Sequence, residues 1–211
     1  MFISAIIPAY NEEKTIVQVI SVLKRMGKIG EIIVVSDGST DRTACISQMA
    51  GAKVIQQPKN MGKGAAVKAG LEWSRGDVIL LLDADLIGLR EEHVNRLLEP
   101  IVQNRADMTL GVFSSGRIPT HLAHKISPCL SGQRAVRKSI LEGISNLELL
   151  GYGMEIALTK YAETENIRLC EVELGDLTHV MKEEKLGLVR GFIERIKMYR
   201  QILREMKLAR R

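Results

Sequence analysis

Cysteine is scarce: Cys45, Cys129 and Cys170 are scattered through 211 residues with no CxxC spacing and no histidine clustered beside them. That excludes a disulfide framework and a zinc site built from paired cysteines, and it points to a reducing, cytoplasmic compartment. Only 5 prolines occur and no block repeats, which sets aside collagenous, low-complexity and solenoid chains. Long apolar runs are missing as well. The longest, such as Val78 to Leu82, fall far short of the roughly 20 residues that a membrane-spanning helix needs. No basic leader precedes the apolar stretch at the N-terminus, and Asn11-Glu12-Glu13 follows at once, so this stretch reads as a first strand and not as a signal peptide.

What is present is a composition of 45% hydrophobic and 26% charged residues, enough to bury the core of one sizeable domain. The net charge of +5 is unevenly placed. Residues 186–211 hold eight Lys or Arg against Glu194 and Glu205, which leaves the rest close to neutral and argues against nucleic acid as a partner of the main domain. The chain therefore divides into a domain over 1–185 and a basic amphipathic helix over 186–211, with Val189, Phe192, Ile193, Ile196, Tyr199, Leu203 and Met206 at helical spacing. Packing on the domain, a homodimer arm and peripheral attachment to an anionic membrane surface are the three uses open to that helix.

Apolar runs and helical patterns alternate. Strands are expected at Ser4 to Ala9, Glu31 to Ser36, Ala52 to Gln56, Asp77 to Leu82, Asp107 to Phe113 and Arg168 to Leu174. Helices are expected after Asn11, which is read as an N-cap, and at Asp41 to Ala50, Ala65 to Arg75, Ser131 to Glu142 and Gly153 to Thr164. The stretch from Ser114 to Pro128 reads as a mobile loop. Such alternation predicts an α/β fold with a mostly parallel sheet flanked by helices. Ligands of open sheets sit beyond the carboxyl ends of the strands, and the residues there are polar: Ala9-Tyr10-Asn11-Glu12, Asp37-Gly38-Ser39, Asn60-Met61-Gly62-Lys63-Gly64 and Asp83-Ala84-Asp85.

Two carboxylates one residue apart after a buried strand suit a hard divalent cation, Mg2+ or Mn2+. An acidic pair of this kind is as often a solvated turn, and Asp37-Gly38-Ser39-Thr40-Asp41 taken alone reads as a turn with a helix cap. Two glycines around Lys63 allow a nucleotide to approach closely with a cation beside it. GxxxxGK[ST] and a glycine fingerprint after the first strand are both absent, which removes the P-loop and dinucleotide-binding readings.

In order and spacing, Ile7-Pro8-Ala9-Tyr10-Asn11-Glu12-Glu13, Val35 to Asp41, Asn60 to Gly64 and Leu82-Asp83-Ala84-Asp85 together resemble the family 2 nucleotide-sugar glycosyltransferases over about the first 115 residues. The resemblance implies the GT-A (Rossmann-like) fold, a mixed and mostly parallel sheet, a nucleotide-sugar donor with UDP favoured over GDP, and a divalent metal. It implies that Pro8, Ala9, Tyr10 and Glu12 line the base and ribose pocket with Ala84 beside them. Asp37 would hydrogen-bond the base, Lys63 would sit beside the nucleotide, Asp85 would bind metal, and Asp83 would hold ribose and metal.

The second half, through Leu130 to Arg137 and Gly151 to Ile156, resembles dolichyl-phosphate mannose synthase-like and, more closely, glucosyl-3-phosphoglycerate synthase-like enzymes. That implies transfer of glucose or mannose to a phosphorylated acceptor, either a small molecule or a lipid phosphate, with His179 as a further metal ligand. Glu155 is the candidate to accept the proton of the acceptor hydroxyl or to orient it, although a carboxylate at a helix start is also explained by the dipole. Arg117 and Arg134 are candidates to clamp the acceptor phosphate. His121 and His124 rank lower. A non-catalytic nucleotide-sugar-binding protein, a haloacid-type phosphatase using Asp83 as nucleophile, and a sugar-nucleotidyltransferase are the alternatives. The late position of Asp83 and the missing GxGTR-like loop weigh against the last two.

Overall fold

Runs of Ile, Val and Leu with few polar interruptions have no solvated face, so they become the inner strands of a sheet covered on both sides. In the computed structural model of the protein, described over residues 1–113, 131–144, 147 and 153–179, these runs are β1 (Ile3–Ala9), β2 (Glu31–Asp37) and β4 (Val78–Leu81), buried along nearly their whole length. The less apolar β3 (Lys53–Gln57) takes an edge. β6 (Met108–Phe113), β7 (Arg134–Arg137) and β8 (Leu169–Leu174) complete a seven-stranded sheet of order β3-β2-β1-β4-β7-β6-β8, and β5 (Leu86–Ile87) pairs separately with β9 (Thr178–His179). Every neighbouring pair in the large sheet is parallel except those made by β7, which runs against both β4 and β6.

Alternate strand residues feed two cores. Ala5, Ile7, Val34 and Leu80 face α1 (Ile16–Arg25) and α4 (Glu91–Val102), whose Ile16, Ile20, Leu97 and Leu98 are fully buried; Ile46 and Ala50 at α2 (Thr43–Met49) pack on the same layer. Ile6, Ile33, Val35 and Ile79 face α3 (Lys63–Trp73), α5 (Lys138–Glu142) and α6 (Met154–Thr164). No helix among the described residues is long and apolar enough to cross a membrane.

Two local expectations change. The helix expected over Ser131 to Glu142 is a strand followed by a short helix, because the slot between β4 and β6 captures Ala135 and Val136, both fully buried, and tertiary pairing outweighs local preference. Asn11 does not cap α1, which begins at Ile16. It takes a left-handed conformation, φ 56°, and its Oδ1 accepts the Thr40 N–H at 2.8 Å, tying the β1 and β2 loops together. The helix α4 carried no reading from the sequence, nor did the two-residue strands β5 and β9. The loop expected from Ser114 to Pro128 and the basic segment 186–211 lie outside the described residues.

At the end of the sheet away from the polar loops, Glu31 is almost wholly enclosed. Its carboxylate accepts from the Ser4 hydroxyl and Lys53 Nζ, both at 2.6 Å, and from the Arg75 N–H at 2.7 Å. Burial opposes the ionised form, but these donors outweigh it and lower the pKa from 4.5 to about 2. A depressed carboxylate contributes stability that is fully present above its unfolded pKa and is lost as pH falls through the folded value. Glu31→Gln should therefore flatten the pH dependence of unfolding free energy between about pH 4.5 and 2, removing on the order of 2 to 3 kcal/mol at neutral pH. Denaturant melts of both proteins across that window measure it, and parallel slopes would count against the assignment.

Candidate active site

Six parallel strands, β1, β2, β3, β4, β6 and β8, end along one edge, and β7, being antiparallel, begins at that same edge beside the end of β4. Asp37, the last residue of β2, is buried and accepts the Met61 N–H at 2.7 Å and the Gly62 N–H at 2.9 Å. Gly38 follows at φ +68°, and a Cβ there would lie 2.4 Å from the Asn60 nitrogen, so only glycine lets the 59–62 loop pack this close. Asp37 thus organises the glycine-rich loop that launches α3 and delivers Lys63 as its first residue.

The Lys63 ammonium lies 2.5 Å from Asp83 Oδ1 and 2.6 Å from Glu155 Oε1. It bridges the turn after β4 to the first turn of α6. The Lys63 and Asp83 side chains are 20% exposed, while that of Glu155 is 8% exposed, so one edge of the trio opens to solvent and Glu155 forms its floor. Burial works against the charged amine, but the Asp83 and Glu155 carboxylates overcome it and hold the pKa of Lys63 above the ordinary lysine range. Lys63 offsets one of the two charges of Asp83 and Glu155, Asp85 lies two residues on, and carboxylate oxygens are the donors that a hard divalent cation takes.

Asp85 is half-buried in the turn between β4 and β5. His179 pairs with Leu86 in the β5–β9 ladder, which brings its backbone alongside the residue that follows Asp85. No group of three or more His, Cys, Asp and Glu side chains among the described residues is arranged to hold a metal unaided. Two strand-end carboxylates fit a hard ion that keeps several positions for water and substrate oxygens, as Mg2+ does.

At the end of β1 Tyr10 is exposed, Pro8 and Glu12 are half-buried and Ala9 is buried; Ala84, between Asp83 and Asp85, is buried as well. Glu12 is fixed by its own N–H, donated to the Thr43 hydroxyl at 2.8 Å, and by the Thr15 hydroxyl at 3.1 Å from Oε2.

Arg134 departs from its expected place. It is fully buried, and its guanidinium donates to the Glu155 carbonyl and the Thr159 hydroxyl, each at 2.9 Å, and to the Ser131 carbonyl at 3.2 Å. Enclosure and these partners make it a strut that holds the start of α6, in place of the acceptor clamp expected from the sequence. Arg117, His121 and His124 lie outside the described residues.

Two neighbours of the trio carried no assignment from the sequence. Gln133 is fully buried against Asp83, and at Gly132 a Cβ would lie 2.4 Å from Lys63 Nζ and 2.5 Å from Asp83 Oδ2. In the sequence both lie within the Leu130 to Arg137 stretch that carries the resemblance, which attached no role to either. Because the atoms met are the ends of flexible side chains, Gly132→Ala should leave the melting temperature within a few degrees of wild type while displacing the ion pair. A 15N spectrum selective for lysine side chains should show the Lys63 resonance moved, and an unmoved resonance would contradict the packing.

The profile of glycosyl transferase family 2 matches residues 4–148, most of the chain. The chain belongs to that family. This family 2 chain is 36% identical over 109 residues to the glucosyl-3-phosphoglycerate synthase of Mycolicibacterium smegmatis, covering 47% of the chain and 36% of that relative. It is 33% identical over 151 residues to the undecaprenyl-phosphate 4-deoxy-4-formamido-L-arabinose transferase of Edwardsiella ictaluri, covering 66% of the chain and 46% of the relative. The matches thus span less than half the length of these curated relatives. Among solved structures, glucosyl-3-phosphoglycerate synthase from Mycobacterium tuberculosis in complex with Mn2+, UDP and glucosyl-3-phosphoglycerate superposes with a TM-score of 0.81 at 26% identity, covering 99% of this chain and 79% of that one. The same enzyme with Mg2+ and UDP gives 0.72 at 28% identity over 85% of this chain and 71% of that one. The family 2 fold expected from the sequence, GT-A with a mixed and mostly parallel sheet, is the fold observed.

Proposed function

We propose that the chain is a metal-dependent hexosyltransferase that moves a sugar, glucose or mannose, from a UDP-sugar to a phosphorylated acceptor. The observation that carries this reading is the Lys63 bridge between Asp83 and Glu155 at the carboxyl edge of β4. It sits in a fold whose solved counterpart is described with Mn2+, UDP and a glucosylated phosphoglycerate. Asp83 and Asp85, with His179, would hold Mg2+ or Mn2+. Such an ion, when bound, offsets charge on the departing diphosphate.

The chain's own groups have separable tasks. Lys63 supplies fixed positive charge where the leaving group becomes anionic. Glu155, held from behind by Arg134, orients the acceptor hydroxyl in a retaining transfer or accepts its proton in an inverting one. Pro8, Ala9, Tyr10, Glu12 and Ala84 receive the nucleoside. The Asp37 carboxylate retains lone pairs beyond the two given to the loop N–H groups, enough for a base N–H. Arg117 is assigned to the acceptor phosphate.

A lipid-phosphate acceptor is the second reading. It is favoured by the relative that acts on undecaprenyl phosphate and by the basic, amphipathic pattern of 186–211, which would then lie on an anionic membrane surface; a homodimer arm is the competing use of that segment.

Thermal melts with UDP-, GDP-, ADP- and dTDP-glucose, each with and without Mn2+, test the donor site. UDP-glucose with Mn2+ should stabilise by about 2.7 kcal/mol at 100 times its Kd, a rise in Tm of roughly 5 to 10 °C for a domain of this size. No shift with any donor would remove the proposal. Turnover with 3-phosphoglycerate against turnover with polyprenyl phosphate in anionic vesicles then separates the two acceptor classes. Binding without turnover on either would favour a non-catalytic nucleotide-sugar-binding protein.

A further inference from the structure

Gln133 is an uncharged amide with no exposed surface, one residue ahead of β7, where an apolar side chain would satisfy the core. Burying an amide is costly unless both of its ends are bonded. Here both ends meet the same residue: Nε2 donates to Asp83 Oδ2 at 3.0 Å, and Oε1 accepts the Asp83 N–H at 3.3 Å. The reverse amide orientation would set an oxygen against the carboxylate and an NH2 against an N–H, so the bonds fix the direction of the side chain. The Gln133 backbone is held in turn, its carbonyl accepting the Gly111 N–H at 2.8 Å and its N–H donating to the Ser131 hydroxyl at 3.3 Å.

The Asp83 carboxylate is therefore gripped at both oxygens from different sides, with Lys63 on Oδ1 and Gln133 on Oδ2. Lys63 reaches in on a long flexible stem and belongs to the partly exposed trio. Gln133 is anchored in the sheet and has no freedom to leave. A carboxylate carried on two rotatable bonds needs such a fixed partner if its remaining lone pairs are to face a ligand in one orientation.

We infer that Gln133 is a positioning residue that locks the Asp83 carboxylate in the orientation used to take up the divalent cation together with the UDP moiety. The inference rests on the donor-site reading above. It assigns to the start of β7, the one antiparallel strand of the large sheet, the task of aiming a carboxylate that belongs to β4.

Gln133→Met keeps the length and volume of the side chain and deletes both hydrogen bonds. Calorimetric titration of Mn2+ into the full chain with saturating UDP should show the Kd for Mn2+ raised about 10- to 100-fold, the cost typical of losing an outer partner of a metal ligand. The KM for the acceptor should stay unchanged, and the fall in kcat should be recovered in part by raising Mn2+. Gln133→Asn, too short to reach both groups, should fall between wild type and Gln133→Met, and it covers the case in which the methionine variant does not fold. A folded variant with a lowered melting temperature but wild-type Mn2+ affinity would mean that Gln133 only supports the core, and would overturn the inference. A wild-type chain that takes up no Mn2+ in the presence of UDP would overturn the donor-site reading itself, and the inference with it.

Discussion

Replacing Lys63 by Met should lower kcat by about 10²- to 10³-fold, the cost of removing one fixed group that faces developing negative charge. The stem volume survives, so the effect belongs to the ammonium. The same variant should bind Mn2+ more tightly than wild type when no nucleotide is present. Asp83 and Glu155 both contact the lysine nitrogen, at 2.5 and 2.6 Å, and without it they become two like charges in need of a counter-ion. Turnover and metal uptake thus move in opposite directions. Steady-state kinetics with a Mn2+ titration of the nucleotide-free chain tests both, and a variant with undiminished kcat would reduce the trio to a structural ion pair.

Asp85→Asn should abolish the Mn2+-dependent rise in melting temperature produced by UDP-glucose and lower turnover by at least about 10²-fold, equivalent to roughly 3 kcal/mol of lost charge stabilisation. The variant should still fold, because Asp85 occupies a half-buried turn outside both core clusters. Loss of the donor response in a folded chain is the diagnostic result. A donor response that survives would move the metal away from the turn after β4.

The first half of the fold was legible because β1, β2 and β4 are continuous apolar runs, each ending in polar residues that have no work in a core. The second half was harder. In β7 only Ala135 and Val136 are apolar, and they stand between two arginines, a pattern that periodicity assigns to a helix as readily as to a strand. Its pairing depends on β4 and β6, which are distant in sequence.

The site divides along the same line. Asp83, Asp85 and Lys63 follow strand ends or open a helix, positions where sequence predicts exposure toward a ligand. Arg134 is the opposite case, since an arginine of unknown environment reads as a surface cation, and only burial with its Glu155 and Thr159 partners reveals the strut. Gln133 lies in the Leu130 to Arg137 stretch that carries the resemblance, yet the resemblance gave it no role. A neutral amide acquires meaning through the atoms at its two ends, and those come from fifty residues earlier in the chain.

The placement of β7 also sets an order of assembly during synthesis. β6 emerges from the ribosome before β7 yet has no place in the sheet until β7 has docked on β4, since β7 lies between them and β8 joins only through β6. Until residue 137 is available, the nascent chain holds four parallel strands with the inner edge of β4 unpaired, an apolar Val-Ile-Leu-Leu template open to other nascent chains. Slowed elongation between residues 82 and 134 would prolong that interval, an exposure that the finished sheet conceals.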